Sequence, residues 1–392
     1  MVVNEFIASD LEIRWENVRQ CMRTNGYDAS LITVDVNMFY MTGKIFNGYF
    51  YLPVDGKPFF FVKRPNGLTG ENVFYIRKPE QIAEHFADAK ISMPGAILLE
   101  TDELPYNEIV RLQTLFANKK TGNATAMMRN IRTIKTPAEL ELFRKSGRLH
   151  TKTYSKIHTL YRRGMTDLEL QYKMETLSRE NGSIGLFRAF GSNMDIFMGS
   201  LLAGDNAGAA SPYDFALGGK GMDDSCPIGA NGTLLEDGMA VMIDVAGNYT
   251  PYISDMTRTF SIGKLPDLAY HAHNVSIEII RTIEEKAVEG FPAAEVYNVA
   301  LEIAKRQGLS DYFMGTKQQA KFVGHGIGLQ INELPVFTPR SKELLMENMV
   351  FALEPKFVIP GVGAVGIENS YIMTKKGTEN ITTAKEEIVE LK

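Results

Sequence analysis

Four acids lie inside otherwise apolar, strand-like segments, and they come in two matched pairs. Residues 239–246 (MAVMIDVA) carry Asp244, residues 252–262 (YISDMTRTFSI) carry Asp255, and Gly247 to Pro251 joins them. A hairpin symmetric about Tyr249/Thr250 sets the two acids directly across from one another, with Cβ atoms roughly 5 Å apart. The construction recurs in residues 350–359 (VFALEPKFVI) and 364–373 (AVGIENSYIM), which flank Pro360-Gly361-Val362-Gly363. A hairpin centred on Gly361 faces Glu354 with Glu368. Like charges opposed across a ladder are destabilising, and a buried carboxylate without a partner costs several kcal/mol or takes up a proton. Two such pairs call for a compensating cation.

His325 offers a fifth donor, in the stretch Val323-Gly324-His325-Gly326-Ile327-Gly328-Leu329. Flanking glycines let the backbone approach a neighbour closely and leave the imidazole unobstructed. Four carboxylates and one imidazole suit two divalent ions bridged by carboxylates. An oxygen-rich set with one nitrogen favours Mn, Fe(II), Co or Zn over a thiolate-binding metal.

The remaining sequence bounds the architecture. At 392 residues the chain is long enough for two domains, each with its own core. Helical periodicity over 9–24 places Leu11, Trp15, Val18 and Met22 on one face, and Gly26 suits the helix stop. Residues 29–34 (ASLITV) read as a buried strand, and 49–54 and 58–62 as a hairpin about Asp55-Gly56. Helices are expected over 79–90 and 104–118, with a strand at 96–99 between them. Together these make a three-layer α/β domain.

A boundary falls near residues 129–136, dividing the chain into 1–132 and 133–392. Thr136-Pro137-Ala138-Glu139 is a helix start with a capping box, opening a helix expected to reach about Tyr161 and to stop by Gly164. Thr166 to Glu169 repeats the box, and the following helix is expected to bury Leu170, Met174 and Leu177. Residues 182–236, rich in Gly, Ser, Asn and Asp, read as strands joined by long loops.

Composition excludes several classes of function. A net charge of -5 argues against nucleic-acid binding, which needs a basic surface. Two cysteines, Cys21 and Cys226, exclude a disulfide framework and a cysteine-based zinc site, and favour a reducing compartment. No apolar run approaches the ~18 residues of a spanning helix, and no signal segment is visible at the N-terminus. A cytoplasmic protein without membrane or nucleic-acid partners is expected.

At its five donors the chain resembles the creatinase/prolidase/methionine-aminopeptidase family of "pita-bread" metallopeptidases, whose ligand order is Asp, Asp, His, Glu, Glu. The matching segments are VMIDVAG (Asp244), SDMTRTF (Asp255), GHGIGL (His325), ALEPKF (Glu354) and GIENSY (Glu368), at spacings of 11, 70, 29 and 14 residues. These spacings resemble the prolidase-like branch. Residues 131–145 (IRTIKTPAELELFRK) resemble the family's domain junction, and the N-terminal segment resembles its creatinase-type domain. The implied fold is α+β, a C-terminal pita-bread domain preceded by a three-layer α/β domain.

The resemblance also implies a metal assignment. Asp244 would chelate one ion, His325 and Glu354 the other, and Asp255 and Glu368 would bridge both. Two such ions, Mn first with Co, Zn or Fe as alternatives, would generate a bridging hydroxide and polarise a carbonyl, with Glu354 as proton acceptor. The implied reaction is hydrolysis of short peptides at the N-terminal bond, often Xaa-Pro, by a dipeptidase or an aminopeptidase. A homodimer is implied by resemblance alone.

The sequence departs from the family at three places. Asn332 stands seven residues after His325 where many members have a second histidine. Ile228, in Pro227-Ile228-Gly229, stands where many have another. Gly366 stands where prolidase-like members often have arginine. Asn332 keeps a hydrogen-bonding role among the catalytic candidates but cannot shuttle a proton. The neighbours His271 and His273 are expected on a solvent-facing helix. Two further readings remain open on this scaffold: another metal-dependent hydrolase or lyase acting on small metabolites, and a non-catalytic binding module.

Overall fold

The computed structural model describes residues 2–117, 119–191 and 198–392, with side chains from residue 10 onward. Six residues of the loop-rich 182–236 segment, 192–197, lie outside the described residues. The chain divides into two compact units, Met1–Arg132 and Thr133–Lys392.

In the first unit the expected elements appear, together with short ones that carry no clear period. Its helices are α1 (Val2–Asn25), α2 (Asp35–Thr42), α3 (Gln81–Asp88), α4 (Tyr106–Leu115) and α5 (Thr125–Thr133). Its strands are β1 (Ala29–Ile32), β2 (Asn47–Pro53), β3 (Phe59–Arg64), β4 (Val73–Tyr75), β5 (Ala96–Leu99) and β6 (Lys120–Asn123). They form one sheet in the order β4-β3-β2-β1-β5-β6.

Strand alternation sends successive aromatics to opposite faces of this sheet. Tyr51 packs edge-on against Phe86 of α3, ring centroids 4.9 Å apart. The adjacent Phe50 meets Phe60 at 5.1 Å and Trp15 of α1 at 6.0 Å on the other side. Trp15 Nε1 donates to the Met41 carbonyl at 2.7 Å, tying α1 to α2. Helix α2 shows no stripe in the sequence because Val36, Asn37, Met38, Tyr40, Met41 and Thr42 are all buried.

The second unit opens with α6 (Pro137–Tyr154) and α7 (Asp167–Glu180). Both start with capping boxes, Thr136 with Glu139 and Thr166 with Glu169. Helix α6 ends earlier than Tyr161: after Ser155 a single 3-10 turn, Ile157–Thr159, carries the chain onward. Leu170 and Met174 of α7 are buried, whereas Leu177 is only half-buried.

Eleven further strands and two helices follow among the described residues: β7 (Gly199–Ala203), β8 (Ala240–Gly247), β9 (Ser254–Ile262), α8 (Asp267–Lys286), α9 (Ala293–Arg306), β10 (Gly324–Gly326), β11 (Glu333–Val336), β12 (Val350–Leu353), β13 (Lys356–Ile359), β14 (Gly363–Gly366), β15 (Asn369–Thr374), β16 (Gly377–Asn380) and β17 (Val389–Leu391). These strands are arranged as sheets in the orders β17-β9-β8-β7, β11-β10-β12-β15-β16 and β13-β14.

Helices cover these sheets from two sides. Ile279, Ile280 and Ile283 of α8 and Val296, Ala300 and Ile303 of α9 share a core with Phe351, Phe357, Val365 and Tyr371. Tyr154 of α6 and Leu170 and Met174 of α7 share another with Leu201, Val241, Ile243 and Phe260. Burying one stripe per helix is the main stabilisation available here, worth about 1.5–3 kcal/mol for each large apolar side chain. His273 belongs to the buried stripe of α8, at 2% exposure. The expectation of a solvent-facing helix holds only for His271, because α8 is amphipathic and the two histidines fall on different faces.

Candidate metal centre

The two acid hairpins form, with one register as expected and one displaced. Lys356↔Gly366 and Ile359↔Gly363 pair on one side of the second hairpin, and Val350↔Ile372 and Leu353↔Asn369 on the other. One continuous register spans both ladders and sets Glu354 opposite Glu368. In the first hairpin Asp244 pairs with Thr257 and Asp255 with Ala246. The turn occupies residues 248–253, between the terminal pair Gly247↔Ser254, so its centre is displaced by one residue and the acids sit diagonally. Both still point to the same face, because a strand repeats every two residues.

The other ligand candidates arrive on neighbouring strands. His325 on β10 pairs with Ala352 of β12 and with Val336 of β11. Its flanking glycines are sterically required: a Cβ on Gly324 would lie 2.2 Å from the Ala352 carbonyl oxygen, and one on Gly326 2.0 Å from that of Leu334. His325 Nδ1 lies 3.1 Å from the Gly326 carbonyl. That contact leaves Nε2 facing Glu354 Oε1 at 3.6 Å and Asp255 Oδ2 at 3.9 Å.

Two clusters result, Asp255/His325/Glu368 and Asp244/Glu354/Glu368, each with one donor atom per residue lying within 4.8 Å of the others. The donor chemistry of the first, two carboxylates and an imidazole, fits a divalent ion of the Mn, Fe(II), Co or Zn type. In the second, a residue absent from the sequence reading holds the middle. Lys356 Nζ lies 2.7 Å from Asp244 Oδ2, 2.7 Å from Glu354 Oε2 and 3.4 Å from Glu368 Oε2. A lysine amid VFALEPKFVI was the available signal, since a cation in an apolar strand needs a buried anion.

The electrostatics follow from crowding acids in a dry site. Burial, reinforced by Asp244, pushes the Asp255 carboxyl up to about 7. Burial and the Asp255 charge push Glu368 well above its ordinary value. Burial also raises Asp244, but the Lys356 ammonium outweighs it and leaves that carboxyl below its ordinary value. Burial opposes the charge on Lys356, yet Asp244, Glu354 and Glu368 together hold its pKa well above the usual lysine range. Cations relieve this arrangement.

A second set of side chains fixes the donors. Thr257 Oγ1 donates to Glu368 Oε2 at 2.6 Å. Ser370 Oγ donates to the Asp255 carbonyl at 2.7 Å and accepts from the Asp255 N–H at 2.8 Å. The guanidinium of Arg258, 3% exposed, donates to the carbonyls of Thr257 and Glu368, both at 2.7 Å, and to Asn369 Oδ1 at 2.8 Å. Strand β9 is thereby tied to residues 366–370. These partners share strand patterns with many ordinary core residues, which hid them in the sequence.

The three departures from the family pattern have distinct surroundings. Asn332 Oδ1 accepts from the Phe190 N–H at 2.7 Å and its Nδ2 donates to the Phe190 carbonyl at 2.9 Å. Ile228 is a buried apolar side chain. Gly366 has φ +138°, and a Cβ there would lie 2.6 Å from the Pro355 carbonyl oxygen and 3.1 Å from Lys356 Cα. A cavity of about 330 Å³ is lined by Tyr213, Phe215, Gln319, Lys321, Phe322 and Val336 among others, and Val336 is the residue that pairs with His325. The Phe322 ring stands edge-on to His325, centroids 6.5 Å apart.

Comparison with known proteins agrees with this geometry. The model of metallopeptidase family M24 matches residues 141–375, and that of the Creatinase/Prolidase N-terminal domain matches 14–134. A Xaa-Pro dipeptidase of Pyrococcus furiosus is 26% identical over 383 residues, covering 96% of this chain and 99% of the relative. Among solved structures, a Xaa-Pro dipeptidase from Bacillus anthracis matches with TM-score 0.79 at 22% identity, covering 97% of this chain and 100% of that one. An X-Pro aminopeptidase from Thermotoga maritima matches with TM-score 0.78 at 22% identity, covering 96% and 99%. The fold is therefore an N-terminal creatinase-like α/β domain with a C-terminal pita-bread domain. With more than half of its length matched by the family model and the five donors gathered on the scaffold, the chain belongs to metallopeptidase family M24.

Proposed function

We propose that this chain is a metal-dependent peptidase that hydrolyses short peptides at the N-terminal bond, with a bond to proline preferred. The observation that carries the proposal is the convergence of Asp255, His325 and Glu368 within 4.8 Å of one another on a family M24 scaffold. A divalent ion held by these residues would supply Lewis acidity, able to polarise a carbonyl and to make a bound water more acidic. Manganese fits the oxygen-rich donor set best. The Xaa-Pro preference and a homodimeric assembly rest on likeness to relatives.

The chain's own residues then divide the work. Glu354 keeps Oε2 on Lys356 and turns Oε1 toward His325. That makes Oε1 the atom that accepts the proton of an attacking water. The cavity beyond Phe322 receives the substrate. Asn332, with both amide atoms on Phe190, acts by positioning that loop.

A second reading, a metal-dependent hydrolase or lyase of small metabolites, is favoured by one observation. At the positions of the family histidines stand the buried, apolar Ile228 and the tethered Asn332, so neither supplies an imidazole. Metal-loaded protein incubated with a short-peptide library and read by mass spectrometry separates the two. Loss of one N-terminal residue, abolished in Asp255→Ala, supports the peptidase. An uncut library, in protein that retains its metal, overturns it.

A further inference from the structure

One of the two carboxylate clusters already holds a cation that belongs to the chain. Lys356 is wholly buried, at 0% exposure. Its Nζ contacts Asp244, Glu354 and Glu368 at 2.7, 2.7 and 3.4 Å, which are the three residues of one cluster. An ammonium has three donors, and here three carboxylates lie around them. The side chain reaches this place because Lys356 lies two residues beyond Glu354 and so shares its face. It pairs with Gly366, which has no side chain to crowd it. Its backbone is fixed from the other direction, since the Met314 N–H donates to the Lys356 carbonyl at 2.8 Å.

A divalent ion in that cradle would take the same oxygens at about 2.0–2.2 Å. The ammonium, within 3.4 Å of each of them, would then lie against a doubly charged cation. The Asp255/His325/Glu368 cluster keeps both Asp255 oxygens and the imidazole clear of Lys356, and shares only Glu368 with it. Charge supports the division as well. Four carboxylates are largely offset by one ammonium and one divalent ion.

We propose that the Lys356 ammonium permanently replaces one ion of the pair, so that the chain holds one divalent ion, at Asp255, His325 and Glu368, where two were expected. This rests on the metal-site reading above, and metal counting separates the two. Full-length protein is equilibrated with Mn²⁺, dialysed, and its metal content per chain is measured alongside its Mn²⁺ electron paramagnetic resonance spectrum. Wild type is expected to hold one ion and show an uncoupled six-line signal. Lys356→Gly is expected to hold two, with an exchange-coupled spectrum. Asp244→Asn, which changes only the cluster holding the ammonium, is expected to leave the count at one.

Two ions in wild type, or one in both wild type and a folded Lys356→Gly, overturn the replacement while leaving the metal site standing. No ion in any of the three proteins overturns the metal site itself. Should Lys356→Gly fail to fold, wild type and Asp244→Asn still decide. A count of one in both supports the replacement, and a count that falls in Asp244→Asn overturns it.

Discussion

Asp244 and Asp255 share one face of the β8–β9 hairpin without facing each other, because Asp244 pairs with Thr257 and Asp255 with Ala246. The position opposite Asp244 is thus a hydroxyl, and Thr257 Oγ1 uses it to hold Glu368 Oε2 at 2.6 Å. Outer partners of this kind orient metal-binding carboxylates. Thr257→Val keeps the volume and removes the donor. It is expected to weaken Mn²⁺ binding roughly 10–100-fold, measured by calorimetric titration, with little change in the circular dichroism spectrum. Unchanged affinity would remove Thr257 from the metal centre.

Arg258 ties strand β9 to the segment that carries Glu368, through the carbonyls of Thr257 and Glu368 and the side chain of Asn369. It also donates to the carbonyls of Ala384 and Lys385, at 2.8 and 2.9 Å. Removing it strands several buried acceptors. Arg258→Met is expected to lose about 3–5 kcal/mol of unfolding free energy. Arg258→Lys should lose less, yet fall short of wild type, because an ammonium cannot reproduce the planar fork. Urea unfolding checks both. A loss below 1 kcal/mol in Arg258→Met would contradict the bracing role.

How far the sequence discloses this site depends on loop length. Glu354 and Glu368 are correctly opposed because the hairpin between them turns tightly at residues 360–362 and leaves one register for both ladders. Asp244 and Asp255 are placed on the right face but in a displaced register, because six residues, 248–253, separate their strands. Alternation survives such a displacement while the identity of the cross-strand partner does not. The capping boxes at Thr136 and Thr166 mark helix starts faithfully, since capping is a local interaction. The end of α6 and the burial of His273 depend on packing against distant residues, which local sequence does not carry. Lys356 required knowing that Asp244 and Glu368, from other strands, converge on it alongside its neighbour Glu354.

Asn332 bonds both ways to the backbone of Phe190. Asn332→Ala is expected to cost about 1–2 kcal/mol and to speed limited proteolysis within residues 182–191. KM should rise more than kcat falls. Asn332→Asp keeps the acceptor but sets a carboxylate against the Phe190 carbonyl, and should loosen the same loop. If proteolysis is unchanged while kcat collapses, Asn332 instead acts on the substrate directly.

His273 Nε2 lies 2.8 Å from the Glu386 carbonyl, and its Nδ1 is buried with no hydrogen-bond partner. Burial lowers its pKa from 6.5 to about 4. The unfolded chain therefore takes up a proton near pH 6.5 that the folded chain accepts only near pH 4. Between these values the unfolded state binds more protons, so stability present above pH 6.5 is lost as the pH falls. The loss is on the order of 3 kcal/mol by pH 4. His273→Gln should lower stability at pH 7.5 slightly and make the acid decline shallower, as read from urea midpoints between pH 4 and 7.5. An unchanged or steeper decline would contradict a buried neutral imidazole.

That Asp255, His325 and Glu368 hold a catalytic ion is tested most directly by restoring metal to chelated protein while following cleavage of Xaa-Pro dipeptides. Wild type should leave the peptides intact after chelation and regain turnover in proportion to bound Mn²⁺. Folded His325→Ala should stay inactive at a Mn²⁺ concentration that saturates wild type. Cleavage that survives complete chelation, or wild-type turnover in His325→Ala, would contradict a metal-dependent peptidase at this site.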